Sequence, residues 1–103
     1  MAIITYSEKA RNELKDIALY IAEQSYGIEL ALNVICRMRT GVRRRLEVFP
    51  YSGQVIATID GVEYHKIVIE RYGFIYKIGL DENNEEVAIV VDVIHEAKEV
   101  DNK

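Results

Sequence analysis

The chain opens on a β-prone run, Ile3-Ile4-Thr5-Tyr6, that stops at Ser7, whose hydroxyl can accept a bond from a free backbone N–H and so cap a helix. Ala10, Leu14, Ile17, Ala18 and Ile21 then recur at steps of three and four, with Glu13, Lys15, Asp16 and Glu23 off that stripe. This spacing predicts an amphipathic helix ended by Ser25-Tyr26-Gly27, where Gly27 can take a left-handed conformation. A second periodic run begins at Ile28 and places Ala31, Val34, Ile35, Met38, Val42, Leu46 and Phe49 on one side, until Pro50 forces Phe49 out of helical geometry. Gly41 weakens that helix by about 1 kcal/mol relative to Ala. Arg45 falls inside the apolar stripe, so the helix must bend at Gly41 or Arg45 must reach across its end.

After Pro50-Tyr51-Ser52-Gly53 the period changes to short apolar runs: Val55–Ile59, Tyr64–Ile69, Tyr72–Ile78 and Val87–Ile94. Asp60-Gly61 and Asp81 to Asn84 read as turns, and the tight Glu70-Arg71 link makes the middle runs a hairpin. Alternation sets Tyr72, Phe74, Tyr76 and Ile78 on one face, while Val87–Ile94 is apolar on both, as a central strand would be. The expectation is an α+β fold: an N-terminal strand, an α-helical hairpin, then a three- to four-stranded antiparallel sheet covered on one face by the helices. The tail from Glu96 to Lys103 reads as a short helix or a frayed end.

At 103 residues the chain suffices for one domain, 1–103, and half its residues are apolar, which excludes disorder and low complexity. No apolar run approaches the roughly 20 residues of a membrane span, and the first residues lack a secretory signal pattern, so the expected location is the cytoplasm without a membrane role. Cys36 has no partner for a disulfide or a zinc site and is expected to be a small core residue on the second helix. The net charge of −4 divides into +2 over residues 1–50 and −6 over residues 51–103, which opposes general attraction to nucleic acid.

No phosphate loop, metal-binding His pair or nucleophile elbow occurs, so no cofactor is implied and function must come from a surface constellation. One candidate is Arg37, Arg39, Arg43 and Arg44, in an acid-free stretch of the second helix; they suit an acidic partner, or simply a solvated helix face. The other is the strand region with Tyr64, His65, Lys66, Arg71 and Lys77, joined by His95 and Lys98. There a base, cations and an acid are the groups that metal-independent RNA cleavage uses. Sheet-edge or half-buried histidines are the structural reading of His65 and His95, and Tyr72 and Tyr76 read as core or cross-strand residues.

The order of these elements resembles the RelE/ParE toxins of type II toxin–antitoxin modules: an opening strand, a helix from Tyr6-Ser7-Glu8-Lys9-Ala10 onward to Tyr20 and Ile21, a second helix ending Leu46-Glu47-Val48-Phe49-Pro50 with Gly53, and Tyr72 to Tyr76 before a buried strand ending in His95. The resemblance implies a small toxin neutralised by a cognate antitoxin. RelE-like members cleave mRNA on the ribosome with a basic set, usually including a C-terminal Arg and Tyr, whereas ParE-like members are associated with DNA gyrase. Here the last strand is followed by His95-Glu96-Ala97-Lys98-Glu99-Val100-Asp101, with no tyrosine beyond Tyr76, which is closer to the ParE-like pattern. The expected function is therefore a ParE-like toxin that binds a target such as gyrase, with Arg37, Arg39, Arg43 and Arg44 toward a partner and Tyr64, Lys77 and Lys98 toward the target. The alternatives are a RelE-like ribonuclease using His65, Lys66, Arg71 and His95, and an inactive interaction module.

Overall fold

The structure, a computed structural model, describes residues 3–96. Strand β1 (Ile3–Tyr6) leads into helix α1 (Glu8–Ile21), a π-helical turn (Ala22–Tyr26) and helix α2 (Gly27–Val48), followed by β2 (Gln54–Ile59), β3 (Val62–Ile69), β4 (Tyr72–Leu80) and β5 (Glu86–His95). The boundaries lie within about two residues of those the hydrophobic pattern predicts, except that α1 ends at Ile21 and a π-helical turn carries the chain on to the predicted stop at Ser25-Tyr26-Gly27. Lys98 and the expected tail helix lie outside the described residues.

Ser7 caps α1 as its position requires: its Oγ accepts from the Ala10 N–H at 3.0 Å and donates to the Val91 carbonyl at 3.2 Å, pinning the helix start to β5. Between the helices Gly27 takes φ +82°, a conformation other residues rarely adopt, and so lets the chain reverse.

The strands form one sheet in the order β1-β5-β4-β3-β2. The antiparallel run β2 to β5 is the one expected, and β5 is central as its two apolar faces require. The N-terminal strand adds a fifth member, pairing parallel to β5 with Ile4 opposite Ala88 and Tyr6 opposite Val90. A parallel neighbour needs a long crossover, and the helical hairpin is that crossover. A bulge beside Val91 brings Tyr76 opposite Val90 and Ile75 opposite Asp92, so Val90 and Val93 both turn to the helices.

Both helices cover the same face. Ala10, Leu14, Met38, Val42 and Leu46 meet Ile67, Phe74, Tyr76, Ala88, Val90 and Val93 in one buried core. Helix α2 runs unbroken through Gly41, where a Cβ would stand 3.0 Å from the Ile69 methyl, so the glycine admits the β3–β4 hairpin against the helix. Arg45 accordingly takes the second course open to it: it is exposed and its Nε donates to Ser52 Oγ at 3.3 Å across the helix end. Two expectations need correction. Cys36 is exposed, because it sits about 100° round the helix from Ile35 and leaves the stripe. Phe49 is exposed too, since the chain has turned off the helix axis at Ser52 N–H to Phe49 carbonyl. Among the described residues no helix is long and apolar enough to cross a membrane.

Candidate functional site

Alternation along β3 separates the two residues that the sequence sets side by side. His65 faces the helices and is 4% exposed, while Lys66 faces the open side of the sheet. The His65 ring stacks on Tyr76 with centroids 5.1 Å apart, and Tyr51 meets it edge-on at 6.1 Å. Its Nδ1 lies 3.2 Å from the Gly53 carbonyl, a bond that places the proton on Nδ1. Beside it the Tyr76 hydroxyl donates to the Pro50 carbonyl at 2.9 Å and accepts from the Gly53 N–H at 3.0 Å. Burial pushes the Tyr76 phenol above its ordinary value, with the Gly53 bond and the Arg45 charge pulling the other way. His65 and Tyr76 thus clamp the turn between α2 and β2. Gly53 is required there, because a Cβ would stand 2.7 Å from the Tyr76 hydroxyl.

On the open face Lys66 bonds both carboxylate oxygens of Glu96 at 3.0 Å, the pair lying over Gly73. Tyr64 and Lys77 are neighbours on the same face, with the ammonium 6.0 Å from the ring centroid. Arg71 occupies the β3–β4 turn, where Glu70 and Arg71 take φ +54° and +75°. The Arg71 carbonyl accepts from the Glu96 N–H at 2.9 Å, and Glu70 is held by Arg37, whose Nε lies 3.0 Å from its carboxylate. That bond keeps the Glu70 carboxyl below the ordinary glutamate range.

His95 ends β5 opposite Tyr72, and the two rings stack on the helix side at 4.9 Å. Arg71, Tyr72 and His95 therefore gather at one end of the sheet, whereas His65 lies further from that end on β3, opposite Tyr76 of β4, and Lys66 lies on the other face. The four residues expected for cleavage do not converge on one surface. Burial, helped by Tyr20, holds the Tyr72 phenol above its ordinary value, so it is uncharged at neutral pH.

The α2 arginines divide between two flanks. Arg37 turns to Glu70 and the hairpin, and Arg44, seven residues on, shares that flank. Arg39 lies over the Tyr6 ring, 4.6 Å from its centroid, and Arg43 stands on the same side. Burial raises the Tyr6 phenol, and the charges of Arg39 and Arg43 act against that shift. All four side chains are exposed. Among the described residues no group of three His, Cys, Asp or Glu side chains is placed to hold a metal ion.

Residues 4–100 match the family described as the ParE toxin of the type II toxin–antitoxin system parDE. The chain belongs to that family. No curated protein matches it. A solved structure described as the chromosomal ParDE toxin–antitoxin system from P. aeruginosa superposes with a TM-score of 0.67 over 92% of this chain and 96% of the matched one, at 14% identity. The shared feature is thus the fold, in line with the expected RelE/ParE architecture, and this ParE-family chain is a type II toxin.

Several contacts of this ParE-family toxin had no signal in the sequence. Tyr51 donates to Glu86 at 2.6 Å across 35 residues, and Glu96 joins Lys66 across 30, so only the sheet order makes either pair. Tyr20 on α1 comes beside Tyr72 and His95 through packing between layers. The residue that spacing did supply is Ser7, because a cap acts within its own turn.

Proposed function

We propose that this ParE-family toxin acts in the cytoplasm by binding a cellular protein, DNA gyrase being the target its family suggests, and that a cognate antitoxin neutralises it. The observation that supports this reading is the dispersal of the cleavage candidates. His65 is sealed in the core with its Nδ1 proton engaged, and Lys66 is neutralised by Glu96 on the opposite face. A ribonuclease must bring base, acid and cations to the same phosphate. A binding toxin needs only exposed surface, and the open sheet face presents Tyr64, Lys77 and Val68 to a target. On the opposite layer Arg39, Arg43 and Arg44 suit the acidic segment of an antitoxin that folds as it binds.

The ribonuclease reading has one observation in its favour, the gathering of Arg71, Tyr72 and His95 at one sheet end. Induction of the chain alone in a bacterial host, with and without its antitoxin, separates the two readings when growth, message integrity and plasmid supercoiling are scored together. Binding predicts growth arrest with intact message and altered supercoiling, relieved by the antitoxin. Fragmented message, spared on His95→Ala, would move the assignment to the nuclease. Absence of arrest would leave an inactive interaction module.

A further inference from the structure

Helix α1 and the end of the sheet border an open cavity of about 380 Å³ lined by Glu13, Asp16, Ile17, Tyr20, Tyr72 and His95. Its size is at the small end of the roughly 300–1,000 Å³ that ligand pockets occupy. The walls are aromatic: Tyr72 and His95 stacked at 4.9 Å, with Tyr20 across from them on α1. Ile17 supplies an aliphatic floor, and Glu13 and Asp16 stand one turn apart on the helix side.

The chain has a cation close by that does not serve this cavity. Lys9 lies beside the adjoining opening, but its ammonium is 2.9 Å from Asp92 and 3.5 Å from Glu13, and the Asp92 bond is the main reason that it holds its proton more tightly than an ordinary lysine. Asp16 is exposed and makes no ion pair among the described residues. The cavity thus presents electron-rich ring faces, an apolar floor and, in Asp16, a carboxylate that makes no ion pair among the described residues. Ring faces attract a cation, most when water is displaced, and a planar guanidinium can stack on a ring while it bonds a carboxylate.

We propose that this cavity is a receptor for an arginine side chain presented by a partner protein, with the guanidinium between the Tyr20 and Tyr72 rings, its edge toward Asp16, and its aliphatic stem on Ile17. A side chain suits the cavity better than a compact inorganic cation, since two carboxylates fall short of such an ion's oxygen shell and the rings and methyl floor add no ligands to it. The inference does not rest on the gyrase reading, which leaves this surface unused; the ribonuclease reading would draw on Tyr72 and His95 of the same cavity, and its message assay is separate from the binding test below.

The test is direct titration of the intact protein with N-acetyl-arginine N-methylamide, followed by NMR through the ring resonances of Tyr20, Tyr72 and His95. Saturable shifts of those rings are expected, with the neutral citrulline analogue binding at least about tenfold more weakly. The lysine analogue, whose ammonium cannot stack or bond in a fork, should bind less tightly than arginine. Asp16→Asn and Tyr20→Leu alter exposed positions of α1, so the fold should persist, and each should weaken binding several-fold. Equal responses to the arginine and citrulline probes, shifts that spare these rings, or unchanged affinity in both variants would each overturn the proposal. A response to guanidinium chloride as strong as to the arginine probe would also overturn it, by removing the role of the stem.

Discussion

Tyr76 and His65 are the pair on which the end of α2 depends. The phenol closes bonds to Pro50 and Gly53, and the imidazole fills the space beneath Tyr51 while meeting the Gly53 carbonyl. Tyr76→Phe leaves the Gly53 N–H without a partner in a buried place, and such a loss costs about 1–3 kcal/mol. The expected result is a lower urea midpoint with an unchanged slope. Its pH dependence follows from the raised phenol: stability drawn from neutral Tyr76 is fully present below about pH 10 and is lost as pH climbs through the higher folded value. The gap between wild type and Tyr76→Phe should therefore be constant through neutral pH and narrow in alkali. His65→Ala should destabilise on the order of 2–4 kcal/mol through the cavity it opens, so any loss of toxicity in that variant should accompany a lower melting temperature. A fully stable His65→Ala protein would contradict the clamp.

At the scale of elements, the approach of α2 to the β3–β4 hairpin turns on Gly41. Alanine there should recover about 1 kcal/mol of helix propensity, but its Cβ would stand 3.0 Å from the Ile69 methyl, closer than packed carbons ordinarily come. Gly41→Ala should accordingly be near neutral in the wild-type chain and stabilising in an Ile69→Ala background, a coupling of about 0.5–1 kcal/mol readable in a double-mutant cycle by thermal unfolding. Additive changes would show that the contact does not matter. The same position shows what the sequence could convey. Periodicity located both helices and all the strands, because each signal is carried by neighbours in the chain. The Asp60-Gly61 turn was legible from chemistry, and Glu70-Arg71 only from the length of the link, since neither residue favours the positive φ it adopts. Gly41 read as a weakness until Ile69 came opposite it, and the parallel docking of β1 on β5 had no local signature at all. The candidate site was legible as a list of residues and not as an arrangement. Strand parity put His65 and Lys66 on opposite faces, but only the sheet order brought Tyr72 to His95.

Across the whole molecule the uneven charge of the sequence becomes a difference between layers. Residues 1–50 supply β1 and both helices with a balance of +2, and the remainder supplies β2 to β5 with −6, so the helical layer is the one that attracts an acidic segment. Arg43 and Arg44 are exposed there, Arg43 reaching Glu47 only at 4.0 Å and Arg44 making no ion pair among the described residues. Exposed charges of this kind speed encounter more than they hold a complex together, because they attract a partner across the Debye length, about 10 Å at 0.1 M salt, while water still solvates them once the complex has docked. With the cognate antitoxin, Arg43→Gln/Arg44→Gln should lower the association rate several-fold at low salt, change the dissociation rate little, and flatten the fall of association with ionic strength. Stopped-flow mixing at several salt concentrations measures all three. If the double variant instead sped dissociation and left association alone, these arginines would be packed into the interface, and the surface that first meets the partner would lie elsewhere on the toxin.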